Sequence, residues 1–242
     1  MILCLDAGNT RLKWGLFDAD LNQRAGGALA YADLDALDLP PARLAVLANV
    51  AGADIGVRIE ARLARLGLPL HRAVSAVAQC GVTSAYDNPT QLGVDRWAAL
   101  IGARGRHIGP CLVVMAGTAT TADRLDADGT FRGGLILPGL DLMRAALTRN
   151  TAQLGLEAGE FRALPTNTAD AIMSGCLNAQ AGAIERQFAP MAHEPGARCL
   201  LGGGAAPALE ALLTVPFQRV DTLVLEGLAR IGRDVLAGNR GD

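Results

Sequence analysis

An aspartate, a glycine, a threonine and a lysine stand close together near the start of the chain, in Asp6-Ala-Gly-Asn-Thr-Arg-Leu-Lys13. These residue types handle phosphate. A glycine at position 8 lets the backbone come near a phosphate, the turn amides and the Thr10 hydroxyl can donate to its oxygens, and Asp6 can hold Mg²⁺ or a water bound to it. Lys13 is the only lysine in the chain, which singles it out for a phosphate contact. A tight hairpin with a polar tip and nothing bound is the competing reading of the same residues. A second acidic candidate is Asp95, in Leu92-Gly-Val-Asp-Arg-Trp97 at the mouth of an alanine-rich helix. A carboxylate is electrostatically favoured there, so Asp95 reads either as a helix-terminal aspartate or as a reactive group with Arg96 beside it. Tyr86, in an irregular stretch from Cys80 to Gln91 that contains Gly81 and Tyr-Asp-Asn-Pro89, is a surface aromatic or a lid over a ligand.

The elements that must position these residues follow from periodicity. Ile2 to Leu5 is an apolar run that reads as a buried strand stopping at Asp6, and the alternation of Leu12, Trp14 and Leu16 returns it as a hairpin. A third strand is expected over 24–31 and a buried strand over 43–50. Ile55, Ile59, Leu63 and Leu66 have helical spacing, ended by Gly67 before a short strand over 70–74. The stretch 105–110 looks like a domain boundary, because Leu112-Val-Val-Met-Ala-Gly-Thr-Ala119 then restarts the pattern of Leu3-Cys-Leu-Asp-Ala-Gly-Asn-Thr10. A return strand over 120–125, the turn signal Asp126-Ala-Asp-Gly129 and a strand over 131–137 complete a second hairpin unit. The chain is therefore expected to be a duplicated α/β unit, with two phosphate-binding turns facing one cleft.

Beyond the second unit, a helix over 141–147 is expected to bury Leu142, Met143, Ala146 and Leu147, with Asp141 as its cap. The stretch 154–161 reads as a loop. A long helix then starts near Pro165-Thr-Asn-Thr168, capped by Asn167 or Thr168, and turns Ile172, Cys176, Ala179, Ala183 and Ile184 inward. A buried strand over 197–201 runs into Gly202-Gly203-Gly204 and a helix over 206–213. That turn reads either as close approach to a nucleotide or as a tight strand-to-helix connection. A final helix over 222–236 closes the second domain.

Composition narrows the function classes. At 242 residues, 50% hydrophobic and 19% charged, the chain can bury one large core or two compact ones. A net charge of −2 without a Lys/Arg block gives no support for nucleic acid or an anionic membrane as partner. No apolar run reaches the length of a membrane span, and the chain opens on a strand without a signal-peptide pattern, so a cytoplasmic protein is expected. The five cysteines are odd in number and scattered, and the three histidines share no ligand spacing, which points to reduced core thiols and away from zinc.

Taken together, Asp6 to Lys13, Tyr86, Gly93-Val-Asp-Arg-Trp97, Gly117-Thr-Ala-Thr-Thr121, Gly133-Gly-Leu-Ile-Leu-Pro-Gly139, Asn167-Thr-Ala-Asp-Ala-Ile172 and Gly202 to Gly204 resemble the type III pantothenate kinases, coenzyme A pathway enzymes of the actin, sugar kinase and Hsp70 ATPase fold. The match covers almost the whole chain in family order. The resemblance implies two duplicated actin-like (ribonuclease H-like) α/β domains, 1–108 and 109–242, with mixed sheets, flanking helices and a nucleotide cleft between them. It implies ATP-dependent phosphorylation of pantothenate to 4′-phosphopantothenate, in a cytoplasmic homodimer. ATP would be held by Asp6, Ala7, Gly8, Asn9, Thr10, Arg11, Leu12 and Lys13, by Thr118 and by Gly203, with Mg²⁺ at Asp6 through water. Asp95 would be the catalytic carboxylate. Tyr86, Gly93, Val94, Asp95 and Arg96 would bind pantothenate, and Thr168 would reach it across the dimer interface.

One departure stands out. The family carries aspartate in the second turn, where it helps hold K⁺ or NH₄⁺, and this chain has Met115. A thioether is a poor ligand for a hard cation, so that site is expected to be altered or absent unless Asp123 replaces it. Two other functions remain open on the same scaffold: a non-catalytic regulatory or binding protein, and a phosphotransferase with another hydroxyl acceptor such as a sugar.

Overall fold

A computed structural model describes residues 1–36, 39–150 and 158–238. The expected loop over 154–161 therefore lies partly outside the described residues. The chain forms two compact units. One comprises Met1–Ile108, Asp128–Arg132 and everything from Thr222 onward; the other comprises Gly109–Ala127 and Gly133–Asp221.

The first unit opens with β1 (Ile2–Ala7), β2 (Leu12–Phe17) and β3 (Gln23–Leu29), then β4 (Leu44–Asn49), α1 (Ala53–Arg65) and β5 (Leu70–Arg72). Its sheet has the order β3-β2-β1-β4-β5. β1 is antiparallel to β2 and parallel to β4, and is buried along its whole length, as an apolar run at the centre of a sheet should be. The strand continues through Asp6 to Ala7 rather than stopping at Asp6. A short hairpin follows, β6 (Ala78–Gln79) and β7 (Val82–Ser84), and then α2 (Val94–Arg106).

The second unit repeats the plan. β8 (Cys111–Ala116), β9 (Ala119–Leu125) and β10 (Thr130–Pro138) are followed by α3 (Leu140–Asn150), α4 (Thr168–Phe188), β11 (Arg198–Gly202), α5 (Ala206–Glu210) and β12 (Phe217–Arg219). The order β10-β9-β8-β11-β12 is that of the first sheet, strand for strand. β8 is antiparallel to β9 and parallel to β11, just as β1 is to β2 and β4. The duplication expected from two Ala-Gly turns is thus a duplication of topology.

The units are not two consecutive halves. The first residues of β10, Thr130 and Phe131, pair with Thr83 and Ser84 of β7 and belong to the first unit. So does α6 (Leu223–Gly238), which the division at 108/109 had assigned to the second. Packing explains its place. A Cβ on Gly227 of α6 would lie 1.8 Å from the Ala98 carbonyl of α2, and one on Gly102 of α2 would lie 2.1 Å from the Leu223 carbonyl. The two helices meet backbone to backbone, and Gly232 of α6 fits against Ile2 and Val46 of the sheet.

Other expectations need correction. Asp141 does not cap α3, which starts at Leu140. Leu142 and Leu147 are 44% and 42% exposed and Ala146 is exposed too, so of the four expected positions only Met143 packs inward, half-buried with its sulfur 3.6 Å from the Gln180 side-chain amide of α4. In α4 the buried positions are Ser174, Cys176, Leu177, Gln180, Ala181, Ile184 and Phe188, whereas Ala179 is exposed. α5 ends at Glu210 instead of running to Leu213. All five cysteines are unbonded. Among the described residues no helix is long and apolar enough to cross a membrane.

Candidate active site

In the first unit, three elements bring charge together. Asp6 ends β1 and is the direct cross-strand partner of Lys13 on β2, so both side chains stand on one face of the sheet. Asp95 lies in the first turn of α2. Asp6 is buried, and its carboxyl is pushed up to about 6 by burial, with Lys13 pulling it down and Asp95 pushing it up. A carboxylate so placed lacks positive charge. The described residues hold no group of three or more acidic, histidine or cysteine side chains placed to hold a metal ion by themselves. One or two carboxylates with water and phosphate oxygens is how Mg²⁺ is commonly held, and a lone buried aspartate fits it.

The turn beyond Asp6 is open. Asn9, Thr10 and Arg11 are exposed, whereas Ala7 and Leu12 are core residues that can offer a ligand only their backbone. Gly8 has no packing reason to be glycine: a Cβ there would meet only the Arg11 carbonyl, at 3.6 Å. Its carbonyl accepts a 2.5 Å hydrogen bond from the Tyr31 hydroxyl, whose pKa is pushed up to about 12 by burial and then by Asp6. Tyr31 is held in turn by Arg58 of α1, which donates to its carbonyl. No sequence signal pointed to Tyr31.

Asp95 accepts from the backbone amide of Arg96 at 2.8 Å, and Gly93 leaves it room, since a Cβ there would lie 2.7 Å from its Oδ1. Gly93, not Asp95, is the N-cap residue, and no side chain caps the helix. Tyr86 is partly exposed and Arg96 is buried. The Arg96 guanidinium lies 5.8 Å from the Tyr86 ring centre and 6.0 Å from that of Phe131. Val94 opens α2 between Gly93 and Asp95. The structure therefore brings Asp6, Lys13 and Asp95 into electrostatic contact, and sets Arg96, from the same α2 turn as Asp95, over the ring of Tyr86 in the loop that precedes the helix.

In the second unit, the tip Gly117-Thr118 joins β8 to β9 and is exposed. The Gly139 amide donates to the Thr118 carbonyl at 2.9 Å, and Gly139 can approach only because it lacks a Cβ. Met115 occupies on β8 the place Asp6 has on β1, opposite Thr121 of β9 and Gly202 of β11. Its sulfur lies 3.1 Å from where a Gly202 Cβ would be. Asp123 is on the same strand face but two pairs further in, opposite Val113, and is 1% exposed. Gly203 has φ +100, and a Cβ there would lie 2.3 Å from the Ala116 carbonyl, so packing alone accounts for that glycine. Thr168 is the exposed first residue of α4, and the cap is Asn167, whose side chain accepts from the Asp170 amide at 2.9 Å. Thr168 borders an open apolar groove of about 1000 Å³ between α3 and α4, lined also by Pro138, Met143, Leu147 and Ile172.

Solved structures share this architecture. A protein described as a putative Baf family transcriptional activator from Campylobacter jejuni superposes with a TM-score of 0.65 at 18% identity, over 97% of this chain and 99% of that one. A putative 2-dehydro-3-deoxygalactonokinase from Sinorhizobium meliloti gives 0.56 at 15%, over 97% and 99%. At these identities the likeness is one of fold, a mixed α/β architecture that this chain shares with both proteins. Sequence comparison narrows the class: the family described as type III pantothenate kinase matches residues 2–190. The type III pantothenate kinase of Aromatoleum aromaticum is 57% identical, over 97% of this chain and 98% of its own, and that of Azoarcus sp. (strain BH72) is 52% identical, over 96% and 90%. The chain belongs to the type III pantothenate kinase family.

Proposed function

We propose that this protein transfers the γ-phosphoryl group of ATP to the hydroxyl of pantothenate, giving 4′-phosphopantothenate for coenzyme A synthesis. The observation that carries the reading is the convergence of Asp6, Lys13 and Asp95 from three separate elements of the first unit. Phosphoryl transfer asks a protein mainly for positioning and for charge stabilisation. In this reading Asp95 accepts the proton of the attacking hydroxyl. Arg96 pairs with the pantothenate carboxylate as a charge-assisted donor, with Tyr86, Gly93 and Val94 shaping the acceptor site. Lys13, the Thr10 hydroxyl and the backbone from Ala7 to Leu12 take the phosphates. The freedom of Gly8 and Gly117 from packing demands supports their role, because a Cβ at either would meet nothing closer than 3.5 Å. Thr118 and the Gly203 backbone complete the ATP contacts. Mg²⁺ held at Asp6 through water would offset charge on the phosphate oxygens.

The monovalent cation of the family pattern does not fit these residues. A thioether stands at Met115, and Asp123 lies two residue pairs deeper with Val113 opposite it. Transfer is expected to proceed without K⁺ or NH₄⁺.

A homodimer in which Thr168 reaches the partner's acceptor site is part of the proposal. Its support is the apolar groove that Thr168 borders and the outward Leu142 and Leu147 of α3, since exposed apolar surface of this kind marks contact sites. The test of the function is turnover of purified protein with ATP and Mg²⁺, offering pantothenate and, separately, a panel of sugars. Pantothenate alone should be phosphorylated; phosphorylation of a sugar in its place would establish a different acceptor, and no turnover by folded protein would remove the enzyme reading.

A further inference from the structure

Arg96 is 6% exposed, yet it carries a charge that cannot be shed. Burying a guanidinium is costly unless something offsets its lost hydration. Part of the offset is visible as two aromatic faces, Tyr86 and Phe131, each within about 6 Å of its Cζ. The two rings also touch each other, 5.1 Å apart between centres and tilted by 40°, a favourable aromatic arrangement. The three side chains form one unit: Phe131 is fully buried at its back, while Tyr86 is partly exposed in front.

Phe131 is placed there by an excursion of the chain. Among the described residues between Gly109 and Asp221, Asp128–Arg132 is the segment that belongs to the first unit. The segment is locked by backbone: Thr130 and Phe131 pair with Thr83 and Ser84, the Thr83 amide donates to the Gly129 carbonyl, and the Ala85 amide donates to the Phe131 carbonyl. Gly129 has φ +89, and a Cβ there would lie 2.2 Å from the Gly81 carbonyl, so the turn is docked where only glycine fits. All these contacts converge on residues just before Tyr86. They fix a ring in contact with both Tyr86 and Arg96.

We infer that Phe131 is a positioning residue for the acceptor: it sets the Tyr86 ring and the Arg96 guanidinium at the geometry that receives the acceptor's carboxylate, without touching the acceptor itself. This rests on the reading of Arg96 and Tyr86 as the acceptor site. The test compares wild-type protein with Phe131→Leu and Phe131→Met, which lose the ring while keeping apolar bulk, measuring KM for pantothenate, KM for ATP, kcat and the melting temperature. The expected result is a KM for pantothenate raised about tenfold, the worth of a desolvated cation–π contact, with KM for ATP unchanged and kcat much less affected. Placed on a Tyr86→Leu background, Phe131→Leu should add much less, because one of its two partners is gone. A general loosening would instead lower kcat or raise both KM values together, and that result overturns the inference, as does a pantothenate KM unchanged in either folded variant. Failure of both variants to fold would make Phe131 a core residue and overturn it too. If wild-type protein does not turn over pantothenate at all, it is the functional assignment that falls.

Discussion

Asp6 carries the sharpest trade between stability and function in the molecule. Its carboxyl is pushed up to about 6, against about 3.9 for an aspartate in an unfolded chain. Because the folded value is the higher one, its contribution favours the native state fully below about pH 4 and is lost as pH rises through 6. Asp6→Asn should therefore stabilise the metal-free protein at pH 8 by up to about 3 kcal/mol, at 1.36 kcal/mol per unit, with little gain at pH 4, as urea denaturation at the two values would show. The same variant should lose Mg²⁺-dependent ATP binding. In wild-type protein that binding should weaken as pH falls through 6 and release a proton, which calorimetry in two buffers would detect. Met115 makes the second residue-level prediction. At constant ionic strength the turnover rate should be flat in K⁺; steep activation would point to a ligand set around Asp123 and the Thr121 hydroxyl, which is buried without a hydrogen-bond partner.

At the scale of elements, α2 holds Asp95 and Arg96 where they are because α6 crosses it at glycines. Gly102→Ala would force a Cβ into the Leu223 carbonyl, and overpacking of this kind costs about 1–3 kcal/mol. Gly182→Ala in α4 meets nothing within 4 Å and should stabilise by about 0.5–1 kcal/mol. Opposite shifts of melting temperature are expected for these two chemically identical changes. The contrast also shows what was legible in the sequence. Strand and helix positions follow from periodicity, and Asp6, Lys13 and Asp95 follow from residue type. The β6–β7 hairpin was missed because Cys80 turns it at φ 50, a conformation rarely adopted outside glycine, asparagine and aspartate. Amphipathic spacing in α3 marks a stripe of which only Met143 packs inward, since period says which residues share a face and not what covers that face. Tyr31 and Phe131 were invisible for a related reason: each acts through a tertiary contact that no local pattern encodes.

For the whole molecule, the duplicated topology was announced by two short Ala-Gly turns, while the return of α6 to the first unit depends on packing between residues more than a hundred positions apart. The proposed dimer is the level at which the acceptor site would be completed. Leu147→Asp, which puts a charge on the apolar wall of the α3–α4 groove, should convert the protein to a monomer in analytical ultracentrifugation and lower activity with it. Mixing inactive Asp95→Asn protein with Thr168→Ala protein should restore activity through subunit exchange, because a mixed dimer then contains one site with Asp95 from one chain and Thr168 from the other. Persistent inactivity despite exchange would mean that Thr168 acts within its own chain or not at all.

The most direct test of the central claim is single-turnover transfer from ATP to pantothenate by wild-type and Asp95→Asn proteins, with product identified by mass and both proteins shown to be folded and to bind ATP equally. The expected result is 4′-phosphopantothenate from the wild type and a rate about 10²–10⁴-fold lower from Asp95→Asn, the usual worth of a positioned general base. No product from the wild type with or without K⁺ and NH₄⁺, or equal rates from the two proteins, would contradict the account.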